Sequence, residues 1–198
     1  MAQKKIDFMG LRAGTDIIYL LNSAFNENIS NFEINGDIDL NRYLISYAYG
    51  TAGLRRSAEG FNYYTQGSYY KAGIDANFIN NLEGHNAIFF GLQYARSDFN
   101  ADVFRLIEIP DGGSIPIDIT EDLSSFWFEA RVGIKVNFWQ NFDLGFTVSN
   151  RFLNEISGEQ DLLAYEVPGY GHAEANGLWK FNYFIQYYLP FKKDKALK

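Results

Sequence analysis

The sequence predicts an all-β fold, an eight-stranded antiparallel up-and-down barrel, on three observations. Apolar and polar residues alternate with period two along most of the chain. The links between alternating segments are short and long by turns. Aromatic residues make up 18% of the composition, with 14 Tyr and 18 Phe. A helix would scatter each alternating set around its circumference, so the alternation reads as strands.

The first strand is expected near 8–18, with Met9, Leu11, Ala13 and Ile17 on its apolar face. The second (31–40) carries Phe32, Ile34, Ile38 and Leu40, and the third (42–53) Tyr43, Ile45, Tyr47 and Tyr49. The fourth (67–79) presents Tyr70, Ala72, Ile74 and Phe78; the fifth (85–98) presents Ile88, Phe90, Leu92 and Tyr94. The sixth (124–138) alternates most regularly. Phe126, Phe128, Ala130, Val132, Ile134, Val136 and Phe138 share one face, while Trp127, Glu129, Arg131, Gly133, Lys135 and Asn137 share the other. The seventh (142–153) carries Phe142, Leu144, Phe146 and Val148. The last (177–189) sets Trp179, Phe181, Tyr183, Ile185, Tyr187 and Leu189 against Lys180, Asn182 and Gln186.

Short links are expected at Asn41-Arg42, 80–84 and 139–141, and long ones at about 19–30, 54–66, 99–123 and 154–176. An antiparallel barrel with one tight-turn end and one looped end has this rhythm, and outer-membrane barrels put their short turns in the periplasm. Within 99–123, Val103 to Ile109 and Ile115 to Ile119 alternate around Asp111-Gly112-Gly113, as if the strands ran on as a hairpin that offers a docking edge to a partner. Pro110, Pro116 and Pro168 fall in long links, and Pro190 follows the last strand.

Alternation alone leaves open which face points outward. Three features favour apolar outside and polar inside. Apolar faces begin and end in aromatics, like the girdles that sit at bilayer interfaces. Gly10, Gly14, Gly73, Gly91, Gly133 and Gly145 lie on the polar face, where a narrow lumen needs small residues beside large ones. That face also carries both signs, including Arg12, Asp16, Glu33, Asp37, Lys71, Asp75, Glu129, Arg131, Lys135, Asp143, Arg151 and Lys180, which neutralise one another when enclosed. The expected architecture is therefore a transmembrane barrel with short periplasmic turns and long extracellular loops. Its lipid-facing aromatics are Phe126, Phe128, Phe138, Trp179, Phe181, Tyr183 and Tyr187. Its lumen charge network centres on Glu129 and Arg131, with Arg12 and Lys135 nearby in height, and eight strands leave an interior that side chains fill.

The 198 residues form one expected domain, with 1–7 and 192–198 as periplasmic tails. No Cys is present, which excludes disulfides, zinc-thiolate sites and cysteine nucleophiles. A net charge of −7 speaks against a nucleic-acid partner. No apolar run approaches the roughly 18 residues of a membrane helix. Met1-Ala2-Gln3-Lys4 lacks the apolar stretch of an export signal, so export requires that a leader was removed.

No residues are assigned to catalysis, to a cofactor or to a metal. The acidic links (Asp102, Glu108, Asp111, Asp118, Glu121 and Asp122; then Glu155, Glu159, Asp161, Glu166 and Glu174) have no EF-hand spacing and read as solvated surface. His172, near Glu174 with Ser149 and Ser157 not far along the chain, is the one base worth testing, whereas His85 falls at a predicted periplasmic turn. Pro168-Gly169-Tyr170-Gly171-His172 reads as a turn and not a phosphate cradle, and Lys192, Lys193, Lys195 and Lys198 as a solvated basic tail.

The segment Gly177 to Phe191 resembles the C-terminal signal that barrel assembly machinery recognises: a Gly, alternating apolar residues and a terminal aromatic, here followed by seven more residues. Phe126 to Asn150, Val167-Pro-Gly-Tyr170, Asn182 to Phe191, Gly67 to Asp75 and Ile88 to Tyr94 together resemble an uncharacterised family of small outer-membrane barrels of Bacteroidota-type Gram-negative bacteria. That resemblance implies fold and an outer-membrane location, and no site residues. The expected role is a non-enzymatic structural or accessory subunit contacting membrane lipid, lipopolysaccharide or another envelope protein. Two alternatives stay open: a lipid A acyltransferase- or deacylase-like enzyme, and a soluble lipocalin-like ligand-binding barrel.

Overall fold

The computed structural model describes residues 8–79, 86–110, 112–175 and 177–191. The expected tails at 1–7 and 192–198, the 80–84 turn, His85, Asp111 and the four tail lysines lie outside the described residues. The elements in chain order are β1 (Gly10–Asp16), α1 (Ile17–Phe25), β2 (Ile29–Asp39), β3 (Tyr43–Ala58), β4 (Phe61–Asn77), β5 (Ala87–Glu108), β6 (Ser114–Trp139), β7 (Phe142–Ser157), β8 (Glu166–Val167), β9 (Gly171–His172) and β10 (Leu178–Pro190).

Eight strands close into a ring in the order β1-β10-β7-β6-β5-β4-β3-β2, and every neighbouring pair is antiparallel. Closure comes from β1, which pairs with β2 on one edge (Gly10↔Asp39) and with β10 on the other (Gly10↔Pro190). All eight expected strand cores are present as strands. The tight β2–β3 and β6–β7 turns put Asn41 at φ 68° and Gln140 at φ 43°; Asn is among the residues that tolerate this left-handed conformation best.

The links differ from expectation. The expected loop at 54–66 is mostly strand: β3 runs to Ala58, β4 starts at Phe61, and Gly60 turns the chain at φ 70°. The expected loop at 99–123 is also mostly strand, and the hairpin expected within it, Val103 to Ile109 against Ile115 to Ile119, is present, with β5 and β6 in register up to Glu108↔Ser114. Segment 19–30 is mainly helical, since the first strand stops at Asp16, whose carboxylate caps α1 by accepting from the Tyr19 N–H at 3.0 Å. Only 154–176 is largely irregular, and even there β7 continues to Ser157 and β8 pairs with β9. Polar residues on one side of the extended strands give these segments a loop-like composition. They are the water-facing half of an alternation that continues.

Candidate functional site

The ring turns its charged residues inward. Arg12, Asp16, Glu33, Asp37, Asp39, Lys71, Glu129, Lys135, Asp143 and Arg151 are buried, while Ile74, Leu92, Val132, Ile134 and Tyr183 are at least 44% exposed on the outside. Phe128, Phe138, Trp179, Phe181 and Tyr187 are exposed as well. Phe126 also points outward but is half-buried, packed against Tyr94 and Phe128.

Apart from Asp16, which caps α1 and accepts from Asn182, the buried charges form three groups along the ring interior. At the β2–β3 turn end, Arg12 donates to Asp37 and Asp143 at 2.8 Å and to Asp39 at 3.2 Å. Asp37 also pairs with Lys135, which stands between the rings of Phe89 and Phe184 at 5.6 and 5.4 Å. One step further, Arg131 grips Asp75 through Nε at 2.8 Å and Nη2 at 2.5 Å, a two-pronged contact that fixes both side chains. Furthest from that turn, Lys71 lies 3.0 Å from Glu33 and 3.7 Å from Glu129, and Arg151 Nε lies 3.0 Å from Glu129. Glu129 and Arg131 are thus neighbours on β6 that serve different groups. Asp37 joins Arg12 to Lys135; no single-strand pattern marks that hub, because its partners come from β1 and β6.

Glycine on the inner face makes room for these pairs. A Cβ at Gly91 would lie 1.8 Å from Asp75 Oδ1, and one at Gly145 would lie 1.9 Å from the Phe184 ring. A cavity of about 40 Å³ remains among Asp16, Glu33, Lys71, Glu129, Arg131 and Ser149, among other residues, enough for a few waters.

Beyond the charges the interior changes character. Trp127, Tyr69, Tyr63, Phe99, Leu123, Leu162, Ala164, Val167 and Tyr170 form one buried apolar cluster, which the chain between β7 and β10 closes like a cap. Arg151 ties cap to ring, its Nη1 donating to the carbonyls of Gly169 at 2.6 Å and Tyr170 at 3.0 Å. Trp127 Nε1 donates to Glu129 at 2.8 Å while its ring meets Tyr170 edge-on at 5.7 Å. On the outer edge of the cap, Glu121 accepts from the N–H groups of Asp161 (2.7 Å), Gln160 and Leu162 (both 3.2 Å). The Asp161 bond is the main reason its carboxyl is held below the ordinary value. Burial pushes Glu166 the other way, above the ordinary value, against the opposing pull of Lys180, His172 and Arg56. A second cavity, about 160 Å³, lies under the cap between Tyr19, Ile29, Leu54, Tyr69, Glu166 and Lys180, among other residues.

The outer face changes at the same level. Along β5, outward residues run Ile88, Phe90, Leu92, Tyr94 and then Arg96, Asp98, Asn100. Along β6, Phe128 and Phe126 give way to Ser124 and Asp122. Aromatic clusters mark both limits of the apolar stretch: Tyr70, Tyr94, Phe126 and Phe128 at one end, and Phe138, Trp139, Phe142 and Tyr187 at the other.

His172 Nδ1 accepts from the Glu174 N–H at 3.2 Å, and its ring lies 4.4 Å from that of Tyr165. Ser149 is buried beside the smaller cavity, and Ser157 donates to Glu155 at the exposed end of β7. Among the described residues no group of three or more His, Asp or Glu side chains is placed to hold a metal ion. The model of a family described as a domain of unknown function, DUF6048, matches residues 2–194. No curated protein and no solved structure matches the chain.

Proposed function

The chain belongs to the DUF6048 family, and from that premise we propose that it is an integral β-barrel of a bacterial outer membrane. Its role on this reading is non-enzymatic, a structural or accessory subunit that contacts lipopolysaccharide or another envelope protein. The observation that carries the reading is the reversed polarity of the ring, apolar outside and ion-paired inside. Charged groups inside a barrel with Leu92, Ile74 and Val132 on its surface suit a solvent of hydrocarbon, where backbone groups must find their partners within the protein. Ten residue steps separate Phe128 from Phe138 along β6; at ~3.3 Å per step and a tilt of ~40° they rise about 25 Å, the height of a barrel's apolar band.

Partner contact falls to the arm that projects beyond the band. Pairing with β4 ends at Phe61↔Arg105 and pairing with β7 ends at Ser124↔Ser157, so the tip of the β5–β6 hairpin has a free edge on each side. Leu106, Ile107, Ile109 and Ile115 are exposed on it. A two-stranded arm with open edges and apolar residues suits strand addition by a partner.

The test is to express the full-length chain, tagged, in its native host, separate the membranes and identify what co-purifies in mild detergent. Recovery from the outer membrane with a stoichiometric protein is the expected result. Recovery there without one leaves lipopolysaccharide as the contact, and recovery in the soluble fraction overturns the membrane reading.

A further inference from the structure

Among the described residues, no strand fills the wall of the ring between the upper parts of β2 and β10. β1 pairs with β2 only as far as Thr15↔Ile34 and with β10 only as far as Asp16↔Phe184. Beyond that point, Ile29 to Glu33 of β2 and Leu178 to Tyr183 of β10 face each other across a gap in the ladder. Helix α1 stands in it and touches both strands. Ser23 Oγ donates to the Asn31 carbonyl at 2.7 Å and accepts the Asn31 N–H at 2.5 Å, so a helix side chain satisfies part of the open edge of β2. Nine residues at ~1.5 Å each give the helix a length of about 13 Å.

The helix repeats the reversed polarity of the strands. At ~100° per residue, Tyr19, Asn22 and Ser23 share one arc, and Ile17, Leu21, Ala24 and Phe25 centre on the opposite one. Tyr19 is buried in the cap cluster, with the Lys180 ammonium 5.5 Å from its ring. On the other side Leu20 is 40% exposed, Leu21 50% and Phe25 86%. Its flanks are the outward residues Phe32 and Ile34 of β2 and Trp179 and Phe181 of β10, all exposed. Large apolar side chains are therefore exposed on β2, on α1 and on β10 alike, around the gap. Water would be a poor solvent for these side chains.

We propose that α1 is a lipid-facing part of the wall, seated in the leaflet on the cap side, with Leu20, Leu21 and Phe25 among the acyl chains below the headgroups. This rests on the barrel reading above, and commits to lipid where a second copy or another membrane protein would be the alternative. The chain has no Cys, so an introduced one is labelled uniquely. Phe25→Cys, Leu21→Cys, Leu92→Cys and Asn100→Cys each carry a nitroxide in full-length protein reconstituted into phosphatidylcholine–phosphatidylglycerol vesicles. Collision with oxygen is compared with collision with a water-soluble nickel chelate. The expected result is a ratio several-fold higher at positions 25 and 21 than at 100, and highest at 92. Nickel access at 25 and 21 equal to that at 100, with 92 still lipid-like, overturns the role of α1 and leaves the barrel standing. Nickel access at 92 as well overturns both. Protection from both reagents at 25 and 21 shows that protein covers the helix and also overturns the proposal.

Discussion

Two regions built from the same strands invert each other's rules. In the ring below Tyr94 and Phe126, inward positions carry Arg12, Asp37, Asp75, Glu129 and Lys135, while outward ones carry Ile74, Leu92 and Val132. Above that level, inward positions carry Phe99, Ala101, Leu123 and Tyr63, while outward ones carry Arg96, Asp98, Asn100 and Asp122. The upper region is ordinary protein, with its oil inside. The backbone ladder passes from one to the other without a break along β4 and β5. The alternation of a strand thus fixes only that its two faces differ; on the membrane reading proposed above, it is the surrounding medium that settles which face is turned outward.

The largest effect should come from the lower interior. Asp37→Ala leaves Arg12 and Lys135 both short of a buried partner, and should cost about 3–5 kcal/mol in urea unfolding of detergent-folded protein. A cost under ~1 kcal/mol would mean that water reaches this group and that the two regions differ less than their residues suggest. Next, Leu92→Arg and Asn100→Arg place the same charge on the outer face of β5 on either side of the boundary. In lipid vesicles the first should cost roughly 2–4 kcal/mol and the second close to nothing; equal costs would erase the boundary.

The cap offers a smaller effect. Tyr170→Phe removes a hydroxyl that donates to the Ala175 carbonyl and keeps the ring against Trp127, so a loss of about 1 kcal/mol is expected, with faster exchange of cap amides and no change in the ring. Spread of that exchange to β1–β3 would show that the two regions unfold as one.

The smallest effect is on pH. Because the fold lowers the Glu121 value, its stabilising contribution is complete above 4.5 and is lost as pH falls through the lowered value. Because the fold raises the Glu166 value, its contribution is complete below 4.5 and is lost as pH rises through the raised value. Hydrogen exchange at residues 160–162 should therefore quicken under strong acid, and Glu121→Gln should remove that acid response; Glu166→Gln should instead flatten the response on the alkaline side of 4.5.

Much of this was legible in the residues themselves. Phe126 to Phe138 alternate so regularly that strand and facing sets follow from period alone, and the same holds for Trp179 to Leu189. The helix was not legible as a helix: Ile17-Ile18-Tyr19-Leu20-Leu21 is apolar without alternation, and Asp16 reads equally well as an inward strand charge and as a cap. The length of β5 and β6 was legible in part, through the alternation of Val103 to Ile109 and Ile115 to Ile119. Their upper halves keep alternating, but with Phe99, Ala101 and Leu123 on the inner side, where the lower strands keep charge, so a search for one continuous apolar face stops at Tyr94 and Phe126.

By itself the sequence determined the number of strands in the ring, their antiparallel order and which of their residues share a face, because a period of two is local. Only the tertiary structure decided which charges meet. Arg12 with Asp37 and Asp143, Arg131 with Asp75, and Arg151 with Glu129 and the Gly169 and Tyr170 carbonyls join residues from different strands, or from a strand and the cap. Those pairings depend on shear and register around a closed ring, and register is a property of the whole circle that no strand contains alone.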